Sequence, residues 1–365
     1  MEDKIAVKLG GTWIVDGSIG EGGGQIVRTA LSIVAINGVK LEIRNIRAGR
    51  PKPGLKPQHV AAIRLMAAMS NAAVDGNVSG SDCVRFRPYK GLVDQAYSES
   101  IETEDHRASA GAVSLVLQTV MPALARIAPL LSKVTVRVDG GTHVAMAPTV
   151  DYLEEIYWPA LRACGVGLIS QHVHKAGYMP AGGGSVDVSM NATGKLTAVC
   201  RPERGRLAAL HCRITCSNLP DHVVERGKAA ALAELAGYGI PVGIEISQPP
   251  ADTPGAACFV YAEFASGTVG WSSLGARGVP MERVVREAVR AFKKWFATGA
   301  SVDNYLADQL VLPAALCRER SEWTVAEPSL HLKTVLNLVR DMLGAEYSIE
   351  QQSDGNWRVQ VQGTQ

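Results

Sequence analysis

Three features are missing from this 365-residue chain, and each absence removes a class. There is no paired CxxC spacing. The seven cysteines, at 83, 164, 200, 212, 216, 258 and 317, form an odd, scattered set that reads as reduced, mostly buried thiols and not as a disulfide framework. His211, Cys212 and Cys216 make a local cluster, but Leu210 to Cys216 reads as a strand without a second ligand pair nearby, so a structural zinc is not expected. Nor is there an excess of either charge. With 37 basic and 35 acidic residues the formal charge is +2, which excludes coating a duplex by global charge and leaves only local patches to bind nucleic acid. Finally, no long apolar run is uninterrupted. The most membrane-like stretch, Ala108 to Leu131, contains Gln118, Pro122 and Arg126 and reads as a buried helix pair or a helix followed by a loop. MEDKIAVKLGG carries charges where a signal peptide has its apolar core, so a cytoplasmic location is expected. The length and a 47% hydrophobic content predict about two domains with ample core.

The stretch Gly20 to Gly54 concentrates a glycine loop, a carboxylate and four arginines. Glycines 22, 23 and 24 are expected to take positive φ and approach a ligand closely. A helical run begins straight after them, so its free N–H groups can face an anion. No Gly-Lys-Ser/Thr follows and the spacing is not that of a dinucleotide turn. Glu21 would repel a phosphate unless a divalent cation bridges the two, which points to a metal–nucleotide complex. The glycines alone equally fit a tight strand-to-helix turn with a solvated glutamate. Downstream, no acid occurs between Glu42 and Asp75, while Arg44, Arg47, Arg50, Lys52, Lys56 and Arg64 are basic. That one-sided patch predicts a polyanionic substrate such as an RNA end.

Periodicity predicts a helix over Ile26–Ile36 and a strand over Val39–Ile43. The same order recurs at Gly111–Leu124 with Val134–Val138, and at Leu306–Cys317 with Trp323–Val325, which suggests an internally repeated architecture. Gln58–Met69 reads as a helix, and Val150–Cys164 as another that Pro159 kinks or breaks. Helices are therefore expected on one face of the sheet. Gly177–Gly184 reads as a hairpin or loop. Beyond Pro202 the texture resets: strand Ala208–Cys216, helix Asp221–Ala236, strand Cys258–Phe264 and a basic amphipathic helix Pro280–Ala297 read as an inserted α/β unit. The tail, YSIEQQ and WRVQVQ around SDGN, reads as a hairpin.

A reactive group is available in Ala326-Glu-Pro-Ser-Leu-His-Leu-Lys-Thr-Val335. Pro328 and Ser329 start a helix whose buried stripe is Leu332, Val335, Leu336, Val339 and Leu343. His331 stands in its first turn at the edge of the stripe, where the helix dipole biases imidazole toward the neutral, nucleophilic form. The alternative is a hydrogen-bonded core histidine.

DGSIGEGGGQIVRTAL, IRAGRPKPGLKPQH, LVLQTVMPAL, GYMPAGGG, YLADQLVLPAAL and TVAEPSLHL, in this order and spacing, closely resemble the RNA 3'-terminal phosphate cyclases over nearly the whole chain. The resemblance implies an α/β (α+β) fold. A large domain, 1–201 and 301–365, would contain three repeated βαβαββ-like units like the C-terminal domain of a translation initiation factor, with a smaller thioredoxin-like α/β domain inserted at 202–300. It implies ATP with Mg2+ or Mn2+, and RNA 3'-phosphate ends as substrate, without a membrane or an obligate protein partner. A histidine takes AMP from ATP, passes it to the RNA 3'-phosphate, and the 2'-hydroxyl displaces it to leave a 2',3'-cyclic phosphate. By motif position His331 is the nucleophile and Glu21 the metal-binding glutamate. Arg28, Arg47, Arg50 and Gln58 face the phosphates. Gln118 is a further active-site glutamine, Tyr305 and Pro148 sandwich adenine, and Asp308 and Gln309 of the LADQ segment contact the nucleotide.

Two positions depart from the family pattern: His143 stands where aspartate is common, and Gly275-Ala276-Arg277 lacks a frequent glutamate. These bear on the nucleotide loop and the insert, not on the reaction. Three rivals remain on sequence: the cyclase-like ribosome-assembly protein, which lacks the nucleotidyl-transfer histidine; a purely RNA-binding module on the same repeats; and an enolpyruvyl transferase, whose fold has similar repeated units.

Overall fold

The computed structural model describes residues 4–89, 95–103, 105, 107–128, 132–192 and 196–364. It is a mixed α/β structure of several small mixed sheets. The first sheet runs Ala6–Leu9, Thr12–Asp16, Lys40–Arg44, Val84–Arg87, Ala73–Asp75. Thr12–Asp16 and Lys40–Arg44 are parallel, joined by the helix Gly24–Asn37, and the remaining pairs are antiparallel. The second sheet runs Ala96–Ser100, Lys133–Gly140, Gly184–Asn191, Ile169–Lys175, again with one parallel pair followed by antiparallel ones. In a third, Cys200–Arg201 lies parallel to Arg320–Val325, which pairs with the C-terminal hairpin Glu346–Gln351 and Trp357–Gln362. The fourth runs Val242–Ser247, Leu207–Ser217, Gly255–Phe264, Gly267–Leu274.

Two hydrophobic clusters underlie these sheets. The larger spans residues 5–199 and 302–361, with Phe259 and Tyr261 joining it. At its centre the helix Gly24–Asn37, buried at Ile26, Val27, Ala30, Leu31, Ile33 and Val34, packs on Pro57–Ser70, Val113–Ile127 and Leu330–Leu343. Helices from three sheets therefore cover one another as well as their own strands. The second cluster is built from Leu210, Cys212, Ile214 and Cys216 on one strand and Val284, Val285, Ala288, Val289 and Phe292 of the helix Met281–Phe296. Cys212 and Cys216 are buried free thiols there.

Several elements differ from expectation. The run Leu306–Cys317 is two helices, Asn304–Gln309 and Val311–Ala315, because Pro313 has no N–H to give the Gln309 carbonyl. Val150–Cys164 is not broken at Pro159. It remains helical through a π segment at Leu153–Tyr157, whose wider turn accommodates the ring that follows. Val113–Ile127 is one helix that carries Pro122 inside it; residues 129–131 of that apolar run lie outside the described residues. Among the described residues no helix is long and apolar enough to cross a membrane.

The joint between the clusters combines apolar contact, through Phe259 and Tyr261, with an electrostatic link. Arg213, on Leu207–Ser217, reaches Asp151 (3.3 Å), Glu154 (2.9 Å), Glu155 and its own neighbour Glu245 (2.7 Å). Burial opposes its charge, but Asp151, Glu245 and Glu155 hold its pKa above the ordinary arginine value. Removing the cation leaves carboxylates facing one another, so Arg213→Ala should cost about 2–4 kcal/mol in chemical denaturation. A loss below about 0.5 kcal/mol would give the joint the weight of an exposed pair.

Candidate active site

Gly22 has φ +57, but Gly23 and Gly24 do not lie in the left-handed region as expected. They are required for space. A Cβ on Gly23 would collide with the Glu21 carboxylate, and one on Gly24 with the His59 ring. The helix that follows has no side-chain cap and no acid in its first turn, so its leading N–H groups are open to an external anion. Glu21 is held beside them by its own N–H, which donates to Thr334 Oγ1 at 2.9 Å. The Glu21 side chain is only 7% exposed and pairs with Arg50. Its Oε2 lies 3.6 Å from His331 Nδ1 and has no hydrogen-bond partner among the described residues.

His331 stands in the first turn of Leu330–Leu343, capped by Ser329, whose Oγ accepts from the Leu332 N–H at 3.0 Å. The ring is half exposed at the lip of a cavity of about 420 Å³. Burial, then Arg28 and Arg50, hold its pKa below the ordinary histidine value. Arg28, Gln118, Asp308 and Gln309 lie in the same cavity, and its walls include Pro148 and Tyr305. Seven of the residues singled out in the sequence thus converge. Gln118 Nε2 and Gln309 Oε1 are buried with no hydrogen-bond partner among the described residues, which leaves one donor and one acceptor for a ligand.

Three of the expected phosphate residues do not line the cavity: Arg50, which pairs with Glu21, and Arg47 and Gln58. Arg47, at φ +55, donates through Nη1 to the carbonyls of Lys52 (2.6 Å) and Gly54 (3.0 Å), closing its own loop. Gln58 lies at the start of Pro57–Ser70 beside Gly111.

Arg28 donates to Gln25 Oε1. Burial pulls its pKa down to about 10 against the opposing pull of Asp308, while burial pushes Asp308 up to about 7 despite Arg28. His59 was not singled out in the sequence. Its Nδ1 accepts from the Lys56 N–H at 3.0 Å, which puts the proton on Nε2, toward Gly24. Burial, then Arg28, Arg47 and Lys56, push its pKa down to about 3, so the ring is neutral. Its position directly after Gln58 was the available signal.

The wall loop is fixed at both ends. Ser114 Oγ donates to the Pro148 carbonyl at 2.6 Å. His143, the departure noted above, is buried between Thr142 Oγ1 and Asp151 Oδ2, each 2.8 Å from a ring nitrogen. The second cluster contributes Ser272 and Leu274 to the cavity, and Ser272 Oγ lies 2.9 Å from Thr149 Oγ1.

A cavity with an arginine floor, an aromatic and proline wall and an open helix N-terminus defines an anion- and nucleotide-binding class of site. A family model described as RNA 3'-terminal phosphate cyclase matches residues 19–349. The chain is 42% identical over 321 residues to an RNA 3'-terminal phosphate cyclase of Methylococcus capsulatus, covering 88% of each chain. It is 39% identical over 321 residues to that of Trichormus variabilis, covering 88% of this chain and 91% of the relative. To that of Pyrobaculum neutrophilum it is 37% identical over 351 residues, covering 96% and 98%. The chain belongs to the RNA 3'-terminal phosphate cyclase family.

The Arg28–Asp308 floor gives a measurable pH signature. Because the folded Asp308 carboxyl titrates near 7 and an unfolded one near 3.9, the folded chain binds that proton more tightly. Asp308 therefore costs stability progressively as pH rises from about 4 to about 7. Asp308→Asn removes this cost, so the wild type should lose on the order of 4 kcal/mol relative to the variant across the window. Parallel stability–pH curves would mean that Arg28 compensates the charge in full.

Proposed function

We propose that the chain converts an RNA 3'-terminal phosphate to a 2',3'-cyclic phosphodiester, with ATP as the activating substrate. The observation that carries this reading is His331 at the lip of the arginine-floored cavity, with its Nδ1 turned toward Glu21. That arrangement leaves Nε2 to form a bond to the α-phosphorus of ATP while the α–β P–O bond breaks and pyrophosphate departs. An oxygen of the RNA 3'-phosphate then attacks the phosphorus of the histidine-bound AMP, breaking the P–N bond. Last, the 2'-oxygen attacks the 3'-phosphorus, losing its proton as AMP leaves. The open N–H groups after Gly23 and the guanidinium of Arg28 supply the positive potential these displacements need.

The orphaned Glu21 Oε2 fits a divalent cation, Mg2+ or Mn2+, which when bound would neutralise triphosphate charge. Arg50, which reaches both the Glu21 carboxylate and its carbonyl (3.4 Å), is available to the RNA phosphate once that cation takes over Glu21. Arg47 and Gln58 act from the adjoining loop. Tyr305, 53% exposed, and Pro148 hold the adenine faces, and Gln118, Asp308 and Gln309 complete the nucleotide contacts.

The recurring pattern of one parallel and then antiparallel pairings supports three βαβαββ units in 1–201 and 301–365. The separate cluster built from Leu207 to Ala300 supports an inserted thioredoxin-like domain at 202–300. No protein partner is required for this chemistry, which suits a cytoplasmic enzyme.

With α-labelled ATP and metal, the wild type should become labelled, and His331→Ala should lose labelling by at least about a thousandfold while its unfolding midpoint holds. Persistent labelling would place the nucleophile elsewhere. A 3'-phosphorylated oligoribonucleotide should become phosphatase-resistant. A terminal 2'-deoxy sugar should stall as the AMP-capped end; its conversion to the resistant product would overturn attack by the 2'-hydroxyl.

A further inference from the structure

The short helix Asn304–Gln309 carries four of the cavity residues, Asn304, Tyr305, Asp308 and Gln309, and six residues do not hold a helix by themselves. What holds it is Asp303. This residue is fully buried, and its Oδ1 accepts from the N–H groups of Tyr305 and Leu306, both at 2.9 Å, as the N-cap. The same oxygen accepts from Tyr152 OH at 2.8 Å. Its Oδ2 closes no hydrogen bond among the described residues. Gly270, on Gly267–Leu274, packs close to Phe259 and Ile156, where a Cβ would collide.

Tyr152 continues the connection. It is 2% exposed, and its ring meets Phe259 of the strand Gly255–Phe264 edge-on at 6.4 Å and Tyr305 edge-on at 6.0 Å. Asp303 therefore joins the helix Asn304–Gln309 to the helical segment after Thr149, and Tyr152 carries that connection to the strand Gly255–Phe264. That strand belongs to the separate cluster that Arg213 fastens to Asp151, Glu154 and Glu155.

We propose that Asp303 is a positioning residue through which residues 207–300 orient the nucleotide-holding helix, so that this segment sets ATP affinity without contributing to the chemical step. The proposal rests on the reading of the cavity as an ATP site. Asp303 touches no reacting atom. It fixes where Tyr305 and Asp308 stand, and Tyr152 ties it to Phe259.

The test is KM and kcat for labelling by α-labelled ATP, with thermal midpoints, in wild type, Asp303→Ala, Asp303→Asn, Tyr152→Phe and Arg213→Ala. Asp303→Ala should raise KM for ATP about tenfold, the scale of a lost N-cap, with kcat changed less than about twofold. Asn caps as well as Asp, so Asp303→Asn should return KM to within about twofold. Tyr152→Phe should raise KM about threefold with the cap intact. Arg213→Ala, remote from the cavity, should raise KM in the wild-type background and add little to Asp303→Ala.

A lowered midpoint with unchanged KM in Asp303→Ala would make the residue a structural cap only. If that variant fails to fold, an unchanged KM in Tyr152→Phe overturns the proposal by itself. Full additivity of Arg213→Ala and Asp303→Ala would disconnect residues 207–300 from Asp303. A wild type that takes no label at all defeats the ATP-site reading, whereas a labelled wild type with unresponsive variants defeats this proposal alone.

Discussion

The burial of the Arg28 guanidinium constrains everything around it. Burial pulls its pKa down to about 10, and its direct polar contact is the neutral Gln25. A cation so poorly solvated sets the state of its neighbours. After burial, it is the first charge acting on His59, His331 and Asp308: it disfavours protonation of both rings and opposes the rise of the carboxyl. The site is thus arranged for a negative guest. Neutral His59 and neutral His331 flank an open helix N-terminus, and a phosphate would satisfy the guanidinium better than the partly protonated Asp308 does.

Glu21 is the counterweight, and its position resolves an apparent contradiction. A carboxylate among open N–H groups and arginines would be expected to fill the anion site itself. Instead one side of it is occupied by Arg50, while Oε2 stays orphaned beside His331 Nδ1. An acceptor left unsatisfied at 7% exposure is costly unless something else completes it. On the proposed reading a divalent cation would complete it and leave the N–H groups to the phosphates.

Much of this was legible in the sequence, because the signals were local. The glycines before an apolar helix, the acid-free stretch from Glu42 to Asp75 and the Ser329-capped first turn with His331 each declare themselves within one continuous stretch of chain. What was not legible depends on contacts distant in sequence. Pro313 broke a run that hydropathy treats as one helix. The π segment at Leu153–Tyr157 hides a proline that by propensity should break the chain. Gly23 and Gly24 were expected for φ, but they are needed because Glu21 and His59 fold back against them, and His59 arrives from another helix. Arg47 has a contact that the sequence does not declare: its Nη1 closes its own loop through the Lys52 and Gly54 carbonyls.

The second cluster shows why a site of this kind needs more chain than its chemistry does. On the proposed mechanism the reacting atoms need one histidine, one carboxylate and an arginine floor, supplied by helices of the larger cluster and, for Glu21, by the turn that leads into one of them. A nucleotide also needs a wall of fixed height. The wall loop leading to Pro148 is short and bears Met146 at φ +62, 96% exposed, so it cannot rely on its own packing. Ser114 anchors it from one side and Ser272, through Thr149, from the other. The facing helix, Asn304–Gln309, is too short to be stable alone and takes its cap from a carboxylate that Tyr152 also engages. One wall leans on Gly267–Leu274 through Ser272, the other on Gly255–Phe264 through Tyr152 and Phe259. On the proposed reading of the cavity as an ATP site, walls fixed in advance do not have to be ordered when nucleotide arrives, and that saving would appear as affinity.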